Sequence, residues 1–494
     1  MALAGCVAAQ PVAEDGETSR LFTRGYQEVM DYYIAPVTAR EAALAALSRL
    51  PALASGLAVV ARGGDVVLAE AGTPLAHYAA PADRDAPGWG ALTAAVLRDA
   101  RAHSRDLAAT SRERIEQGLF AGLTASLDRF SVYWAPDTAH EMRAAREGFD
   151  GIGITIDTRA EPARVSSLVP DGPAERAGLA VDDRILAIDG APAAAMAREE
   201  IVRRLRGPAD SRVELTVARS GVAEALKLTI TRAYVVVPTV TARRDGALAV
   251  FRISGFNQHT ADSLRQAFVK LRREMRDGLR GIVLDLRDNP GGLLDQGVAV
   301  ADLFMTGGRI VATVGRSPGS NQEFDASPGD LALGLPIAVI VNGGSASSAE
   351  IVAAALQDSG RAVVVGTSSY GKGTVQTVLS LPNEGELWLT WARLVTPGGY
   401  LLQEHGVVPA VCTLGAETEA LPAILRRSAA GEPRAGLDEA GWSRLRRGCP
   451  GETAEHKVDL EAAERVVSDR ALYARLIPAE PTALAAKPSP GPQQ

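Results

Sequence analysis

Lysine is scarce in this chain. Arginine supplies nearly all of the 52 basic residues. The lysines are Lys227, Lys270, Lys372, Lys457 and Lys487. Arginine cannot lose its proton in a protein, whereas a buried lysine can. A lysine that such a sequence has kept inside a glycine-rich segment, as at Lys372, is therefore a candidate for acid–base chemistry.

Other features are missing as well. Three cysteines, Cys6, Cys412 and Cys449, leave room for one disulfide bond. No apolar run approaches the length of a transmembrane helix. The net charge of −7 gives no reason to expect nucleic acid as a partner. The sequence contains no cluster of metal ligands and no phosphate-binding loop, so neither a metal nor a cofactor is expected. With 494 residues, 46% of them apolar, the chain predicts a globular protein of two to four domains.

The most informative stretch runs from Asn342 to Gln376. The apolar residues Ile337–Val341 predict a buried strand, and small hydroxyl residues follow it. A helix is predicted from Glu350, and a second strand over Ala362–Gly366 leads to Lys372. The order is strand, tight turn, helix, strand, loop and lysine.

This order suits nucleophilic catalysis. A serine on a sharp turn between strand and helix presents its hydroxyl clear of the backbone, and N–H groups at the helix start stabilise an oxyanion. The stretch contains no histidine. A desolvated lysine can serve as the base instead, because burial disfavours the ammonium form. A Ser–Lys pair is a known variant of this chemistry.

The block from Gly344 to Gln376 resembles the carboxyl-terminal processing peptidases, also called tail-specific proteases. The resemblance implies that Ser347 is the nucleophile, that Lys372 is the general base, and that Gln376 orients the lysine. Many members read Ser-Ala-Ser-Ala-Ser-Glu, whereas this chain has Ser-Ala after Ser347. That departure leaves Ser348 open as the alternative nucleophile.

A second block, from Asp288 to Leu294, resembles the family segment whose last glycine donates an N–H to the oxyanion hole. The resemblance assigns this role to Gly292, with the backbone N–H of Ser348 as its partner. Glycine has a physical advantage there, because a residue without Cβ lets the substrate carbonyl approach the amide closely.

The segment 148–235 resembles a PDZ domain. It has short predicted strands, a helix predicted over 198–205, and a loop that resembles the carboxylate-binding loop of that domain. The loop residues are Gly151, Ile152, Gly153 and Ile154. Consecutive N–H groups in such a loop can bind a terminal carboxylate while the ligand adds a strand to the sheet. Protein or peptide substrates with free C-termini are therefore the expected partners.

The resemblance implies a mixed α/β fold with a crotonase-like (ClpP/crotonase-type) core of ββα repeats, an inserted PDZ domain and an N-terminal helical region. The expected segments are 1–17 (leader or linker), 18–147 (mostly helical), 148–235 (PDZ), 236–413 (serine peptidase core), 414–479 (C-terminal helices) and 480–494 (disordered tail).

The expected function is an ATP-independent serine endopeptidase that recognises substrate C-termini. Two alternatives remain open: a catalytically silent PDZ scaffold that binds peptides, and an acyl-CoA enzyme with a crotonase core. The resemblance places the protein on the periplasmic side of a bacterial envelope, and a Cys412–Cys449 bridge would fit that compartment. Cys6 stands in a lipobox-like sequence, so a lipid anchor through this residue stays open. An adaptor protein and a homo-oligomer also stay open as partners.

Overall fold

The structure is a computed structural model that describes residues 11–428 and 436–477. Cys6 and the expected tail 480–494 lie outside the described residues. The chain divides into two compact units. Of the described residues, unit 1 comprises 11–140, 313–322 and 374–394, and unit 2 comprises 141–312, 323–373, 395–428 and 436–477.

The helices are α1 (Pro11–Tyr32), α2 (Ala39–Leu47), α3 (Leu50–Leu53), α4 (Ala86–His103), α5 (Arg105–Ala109), α6 (Arg112–Ala125), α7 (Pro136–Glu147), α8 (Pro173–Arg176), α9 (Arg198–Leu205), α10 (Thr260–Met275), α11 (Leu294–Asp302), α12 (Ser348–Asp358), α13 (Leu421–Arg427), α14 (Glu439–Gly448), α15 (Lys457–Ser468) and α16 (Arg470–Leu476). Among these described helices, none is long and apolar enough to cross a membrane.

The strands are β1 (Leu57–Arg62), β2 (Asp65–Glu70), β3 (Thr73–Ala79), β4 (Val132–Trp134), β5 (Phe149–Gly151), β6 (Ile154–Asp157), β7 (Arg164–Leu168), β8 (Arg184–Ile188), β9 (Ala191–Pro192), β10 (Arg212–Ala218), β11 (Leu226–Thr231), β12 (Ala233–Val235), β13 (Val240–Asp245), β14 (Leu248–Ile253), β15 (Gly281–Asp285), β16 (Arg309–Val314), β17 (Gln322–Asp325), β18 (Ile337–Val341), β19 (Val363–Gly366), β20 (Thr374–Ser380), β21 (Glu386–Val395) and β22 (Val411–Cys412).

Unit 1 combines α1 to α6 with two small antiparallel groups of strands. Strands β1, β2 and β3 form one sheet, and β21 pairs with both β20 and β4. Its core is rich in aromatic rings: Phe120 stacks on Phe22 at 5.0 Å and on Tyr133 at 4.4 Å between ring centroids. Trp89 is completely buried in the same core. These rings supply much of the apolar area that stabilises the unit.

The first part of unit 2 is an antiparallel sheet in the order β11-β10-β8-β7-β6, with β9 paired to β8. Strand β10 alternates between buried and less buried positions, as a half-covered strand does. Its inward residues Val213, Leu215 and Val217 pack with Ile201 and Leu205 of α9. The helix predicted over 198–205 is therefore present, and its apolar face closes this small core.

The second part of unit 2 is a six-stranded sheet in the order β13-β14-β15-β18-β19-β22. Strand β13 is antiparallel to β14, and the other neighbours run parallel. Every residue of β15, β18 and β19 is buried. A continuous apolar run, rather than an alternating one, is typical of such central parallel strands, since both faces are covered.

Helices cover this sheet, and α15 lies over three of its central strands. Ala338 and Ile340 of β18 pack with Ala462 and Val466 of α15 in one buried cluster. The disulfide bond Cys412–Cys449 joins β22 to the residue after α14. The C-terminal helices are thus integral to the packing of the sheet that carries the candidate site.

Some elements differ from the sequence-based expectation. The first helix begins at Pro11, inside the segment 1–17 that was expected to be a leader or linker, and it ends at Tyr32. The segments 313–322 and 374–394, which lie within the expected peptidase core, group with N-terminal residues. The boundaries remain predictions.

Candidate active site

Three loops of unit 2 meet at one edge of its parallel sheet. They follow β15, β18 and β19, which are neighbours in the sheet, and each leaves the carboxyl end of its strand. The first loop carries Gly292, the second Ser347 and the third Lys372. In open parallel sheets this edge is where binding and catalytic groups collect. The topology therefore brings together residues that are far apart in the sequence.

Ser347 occupies a strained turn. Its backbone has φ +54° and ψ −117°, a region that residues other than glycine rarely adopt. Such strain costs about 1–3 kcal/mol and is typical of functional positions, including nucleophiles at sharp turns from strand to helix. The residue is partly exposed and precedes α12 directly. Its hydroxyl is placed where a substrate can reach it.

Ser348, the alternative nucleophile, is oriented differently. It is 1% exposed, and its Oγ donates to the carbonyl oxygens of Gly292 and Leu293, each at 3.1 Å. As the first residue of α12 it also presents its backbone N–H at the positive end of the helix dipole. The geometry therefore favours Ser347 as the nucleophile and leaves Ser348 with the expected backbone role.

Two positions opposite Ser347 require glycine, because neighbouring atoms lie too close to leave room for a Cβ. A Cβ on Gly291 (φ +97°) would lie 2.7 Å from Cβ of Ser347, and one on Gly292 (φ +148°) would lie 2.1 Å from the carbonyl oxygen of Phe256. Asn289 holds this turn, because its Oδ1 accepts from Gly291 N at 2.9 Å. Gly292 is exposed, as an oxyanion-hole donor must be.

Glu350 connects the nucleophile turn to the lysine loop. Its Oε2 accepts from the backbone N of Ser347 at 2.8 Å and of Lys372 at 2.9 Å. Its Oε1 accepts from Gly371 N at 2.7 Å and from the hydroxyl of Ser369. The side chain is completely buried. Burial raises the pKa of Glu350, and these donors oppose the rise.

From the sequence, Glu350 was expected only to begin a helix, and its role between the two loops was not predicted. A signal was available, because a glutamate three residues after a helix N-cap serine is the spacing of a capping box. That motif predicts the contact with Ser347. The contacts with Gly371 and Lys372 depend on tertiary structure.

Lys372 is partly buried, and burial lowers the pKa of its ammonium from the ordinary value, while the nearby Glu350 carboxylate opposes the change. Crowded backbone contributes to the burial: a Cβ on Gly373 would lie 1.9 Å from Gln403 N, and one on Gly371 3.2 Å from the backbone of Glu404. A lysine with a lowered pKa more readily reaches the neutral form that a general base needs.

Gln376, expected to orient the lysine, lies on β20 in unit 1. Its Nε2 donates to Thr374 Oγ1 at 2.9 Å and to Thr390 Oγ1 at 3.4 Å. These contacts fix the amide within its own unit. The expected role of Gln376 toward Lys372 stays a prediction.

The expected carboxylate-binding loop borders a cavity of about 530 Å³ between β6 and α9. Ile152, Gly153 and Ile154 line it, with Val202 and Leu205 on the helix side. Gly151 instead pairs with Ala233 in the two-stranded sheet of β5 and β12. A mostly apolar groove between a strand and a helix has the form that accommodates an extended peptide.

Comparison with known proteins agrees with this architecture. The pattern of Peptidase family S41 matches residues 247–412, and that of the PDZ domain matches residues 164–219. The carboxy-terminal-processing protease of Bartonella bacilliformis is 40% identical over 299 residues, which cover 60% of this chain and 69% of that protein. The carboxyl-terminal-processing protease of Synechocystis sp. is 33% identical, with 58% and 68% covered.

Among solved structures, the photosystem II D1 C-terminal processing protease is 29% identical, with 65% of this chain and 85% of that one covered at a TM-score of 0.36. The family is established by the sequence relatives. This chain belongs to the carboxy-terminal processing proteases of Peptidase family S41 and carries a PDZ domain. It is a serine-type peptidase of mixed α/β fold.

Proposed function

We propose that the protein is an ATP-independent endopeptidase with Ser347 as nucleophile and Lys372 as general base. The observation that carries the proposal is the Glu350 carboxylate, since one of its oxygens accepts from the backbone N–H of both residues. Gln376 completes the assignment as the residue that orients the lysine amine. The lowered pKa of Lys372 supports its role as the base.

In the first step, neutral Lys372 Nζ takes the proton from Ser347 Oγ as that oxygen attacks the substrate carbonyl carbon. The backbone N–H groups of Gly292 and Ser348 receive the oxyanion. The ammonium then gives its proton to the leaving amine, and an acyl-enzyme ester remains on Ser347. Water, deprotonated by the same lysine, hydrolyses the ester and regenerates the serine.

The proposed substrate is a protein with a free C-terminus. The cavity lined by Ile152, Gly153 and Ile154 would bind the terminal carboxylate through backbone N–H groups and the last side chain through apolar contact. Cleavage at Ser347 would take place elsewhere on the same substrate chain.

Two finer assignments accompany this proposal. The core is proposed to be of the crotonase type, consistent with its layered parallel sheet and covering helices. The protein is proposed to act on the periplasmic side of a bacterial envelope. The Cys412–Cys449 bond supports that location, because disulfide bonds persist in oxidising compartments.

The test compares the wild-type chain with Ser347→Ala on an unfolded protein that ends in apolar residues. We expect cleavage without ATP by the wild type and none by the variant. Equal survival of the substrate in both samples would instead favour a peptide-binding scaffold. Ser327→Ala, at an exposed serine away from the site, is the matched control and should cleave as the wild type does.

A further inference from the structure

Arg446 reaches the active-site network from outside the region that matches the peptidase family. It lies on α14, whereas the family match ends at residue 412. Its Nη2 donates to the carbonyl oxygen of Ser369 at 3.2 Å, and its Nη1 donates to that of His405. Ser369 stands three residues before Lys372. One guanidinium therefore joins the loop that carries Lys372 to the segment at His405.

The same guanidinium lies near Glu350, and both groups approach Gly406. A Cβ on Gly406 (φ +61°) would be 2.8 Å from Arg446 Nη1, 2.7 Å from Ser369 Oγ and 3.1 Å from Glu350 Oε1. Three polar groups thus converge on the space that this glycine leaves free. Ser369 Oγ accepts from Val407 N at 2.7 Å, so its hydrogen is available to the carboxylate.

The position of Arg446 is fixed by several independent contacts of its helix. Three residues later, Cys449 forms the disulfide bond with Cys412, and its carbonyl accepts from Ser368 Oγ at 2.5 Å. On the other side, the ring of Trp442 stacks on that of His405 at 4.7 Å. A long cationic side chain held in this way loses little further entropy on making its hydrogen bonds.

We propose that Arg446 is a positioning residue of the active site, which fixes the loop that carries Lys372 and balances the charge of Glu350. The inference rests on the proposed role of Lys372 as the base. Left alone, the Glu350 carboxylate would favour the ammonium form of Lys372. A second cation beside that carboxylate reduces this effect, and the amine can then lose its proton more easily.

Other titratable groups lie near Arg446. Burial lowers the pKa of His405, and Glu439, Arg446 and Glu404 modify that shift. Burial also lowers the pKa of Arg446 itself, while Glu350 opposes the change. Because both His405 and Lys372 titrate, the variant His405→Gln is needed to separate their contributions to the pH profile.

The test is the pH profile of kcat/KM for a peptide substrate in the full chain with Arg446→Gln and Arg446→Lys. Loss of the cation should raise the lysine pKa and move the acid limb to higher pH. A shift of one pKa unit lowers the rate about tenfold at a pH below the limb. We expect the fall in kcat with little change in KM, and we expect Arg446→Lys to restore the limb because it keeps the charge.

Arg447→Gln is the matched control, since this neighbouring side chain is exposed and contacts only Ser443 among the hydrogen bonds of the described residues. It should leave the profile unchanged. In His405→Gln, which also removes the ring that Trp442 stacks on, the acid limb should persist, because the limb belongs to the lysine. An unchanged limb in Arg446→Gln would overturn the inference, and so would loss of the limb in His405→Gln. If Arg446→Gln does not fold, a shifted limb in the charge-conserving Arg446→Lys would overturn it.

Failure of the underlying proposal has a different signature. If Lys372→Ala keeps wild-type activity, the Ser–Lys mechanism is wrong, whatever the Arg446 variants do. If Lys372→Ala is inactive and the Arg446→Gln limb stays in place, only the role of Arg446 is wrong.

Discussion

Ser347 and Lys372 donate their backbone N–H groups to the same carboxylate oxygen, Oε2 of Glu350, at 2.8 and 2.9 Å. The two nitrogens therefore lie within the span of two hydrogen bonds, although the residues belong to loops after different strands. This arrangement couples the position of the nucleophile turn to that of the base loop. A change at Glu350 should disturb both together.

Glu350→Gln tests that coupling. An amide would present its NH₂ to groups that are themselves donors, and each donor left unsatisfied costs about 1–3 kcal/mol. A displacement of the turn by about 1 Å is enough to lower kcat about 100-fold. We expect such a fall in steady-state peptide cleavage, with a lower melting temperature. Glu419→Gln, an exposed glutamate, should change neither. Wild-type kcat in Glu350→Gln would argue against a positioning role.

Lys372→Ala and Lys372→Arg test the general base. Arginine keeps the charge but cannot deprotonate, so both variants should lose activity, by about 10²- to 10⁴-fold. In the wild type, activity should rise with pH as the ammonium loses its proton, and burial places that limb below the ordinary lysine value. Lys457→Arg, an exposed lysine paired with Glu461, should behave as wild type. A fully active Lys372→Arg enzyme would contradict the mechanism.

Much of the local structure follows from the sequence, and the site follows in part. Apolar runs predicted β18 and β19, because strands buried on both faces need them. The role of Glu350 was missed, since three of its four contacts come from a loop beyond α12. Arg446 was missed because its partners are backbone carbonyls, which carry no sequence signature.

The division into units was equally invisible in the sequence. Segments 313–322 and 374–394 are short pieces of the expected core, yet they pack with N-terminal residues. Strand β21 illustrates the cause, because it pairs with β4, more than two hundred residues earlier. Periodicity reports which face of a strand is buried, but it does not report which distant strand is its neighbour.

Gly291→Ala tests the close approach beside the nucleophile. The new methyl group would lie 2.7 Å from Cβ of Ser347 and 2.8 Å from the carbonyl oxygen of Ala346, at a φ of +97°. We expect a loss of about 1–3 kcal/mol in the free energy of unfolding, together with reduced kcat. Gly64→Ala is the control, since nothing lies within 4 Å of its Cβ position. Similar values for both variants in urea denaturation would show that the crowding is relieved by movement of the turn.

Removal of the Cys412–Cys449 bond should destabilise unit 2. The two cysteines are 37 residues apart, and closing a loop of that length stabilises a fold by about 4 kcal/mol in the chain-entropy model. The double variant Cys412→Ser, Cys449→Ser should therefore unfold at a lower urea concentration than the wild type. A reducing agent should lower the wild-type midpoint and leave the variant unchanged. Equal midpoints for wild type and variant without reductant would show that the bond adds nothing to stability.

Val202→Glu tests the peptide groove. Val202 lines the cavity from α9, opposite the expected carboxylate-binding loop, and a carboxylate there would be desolvated and would repel the peptide terminus. In the Ser347→Ala background, which prevents cleavage, we expect at least a tenfold weaker affinity for a fluorescent peptide with an apolar, free C-terminus. Fluorescence anisotropy measures this directly. Arg203→Gln, an exposed position on the same helix, should bind as the parent does. If the amidated peptide binds as tightly as the free acid, the terminal carboxylate is not what the groove recognises.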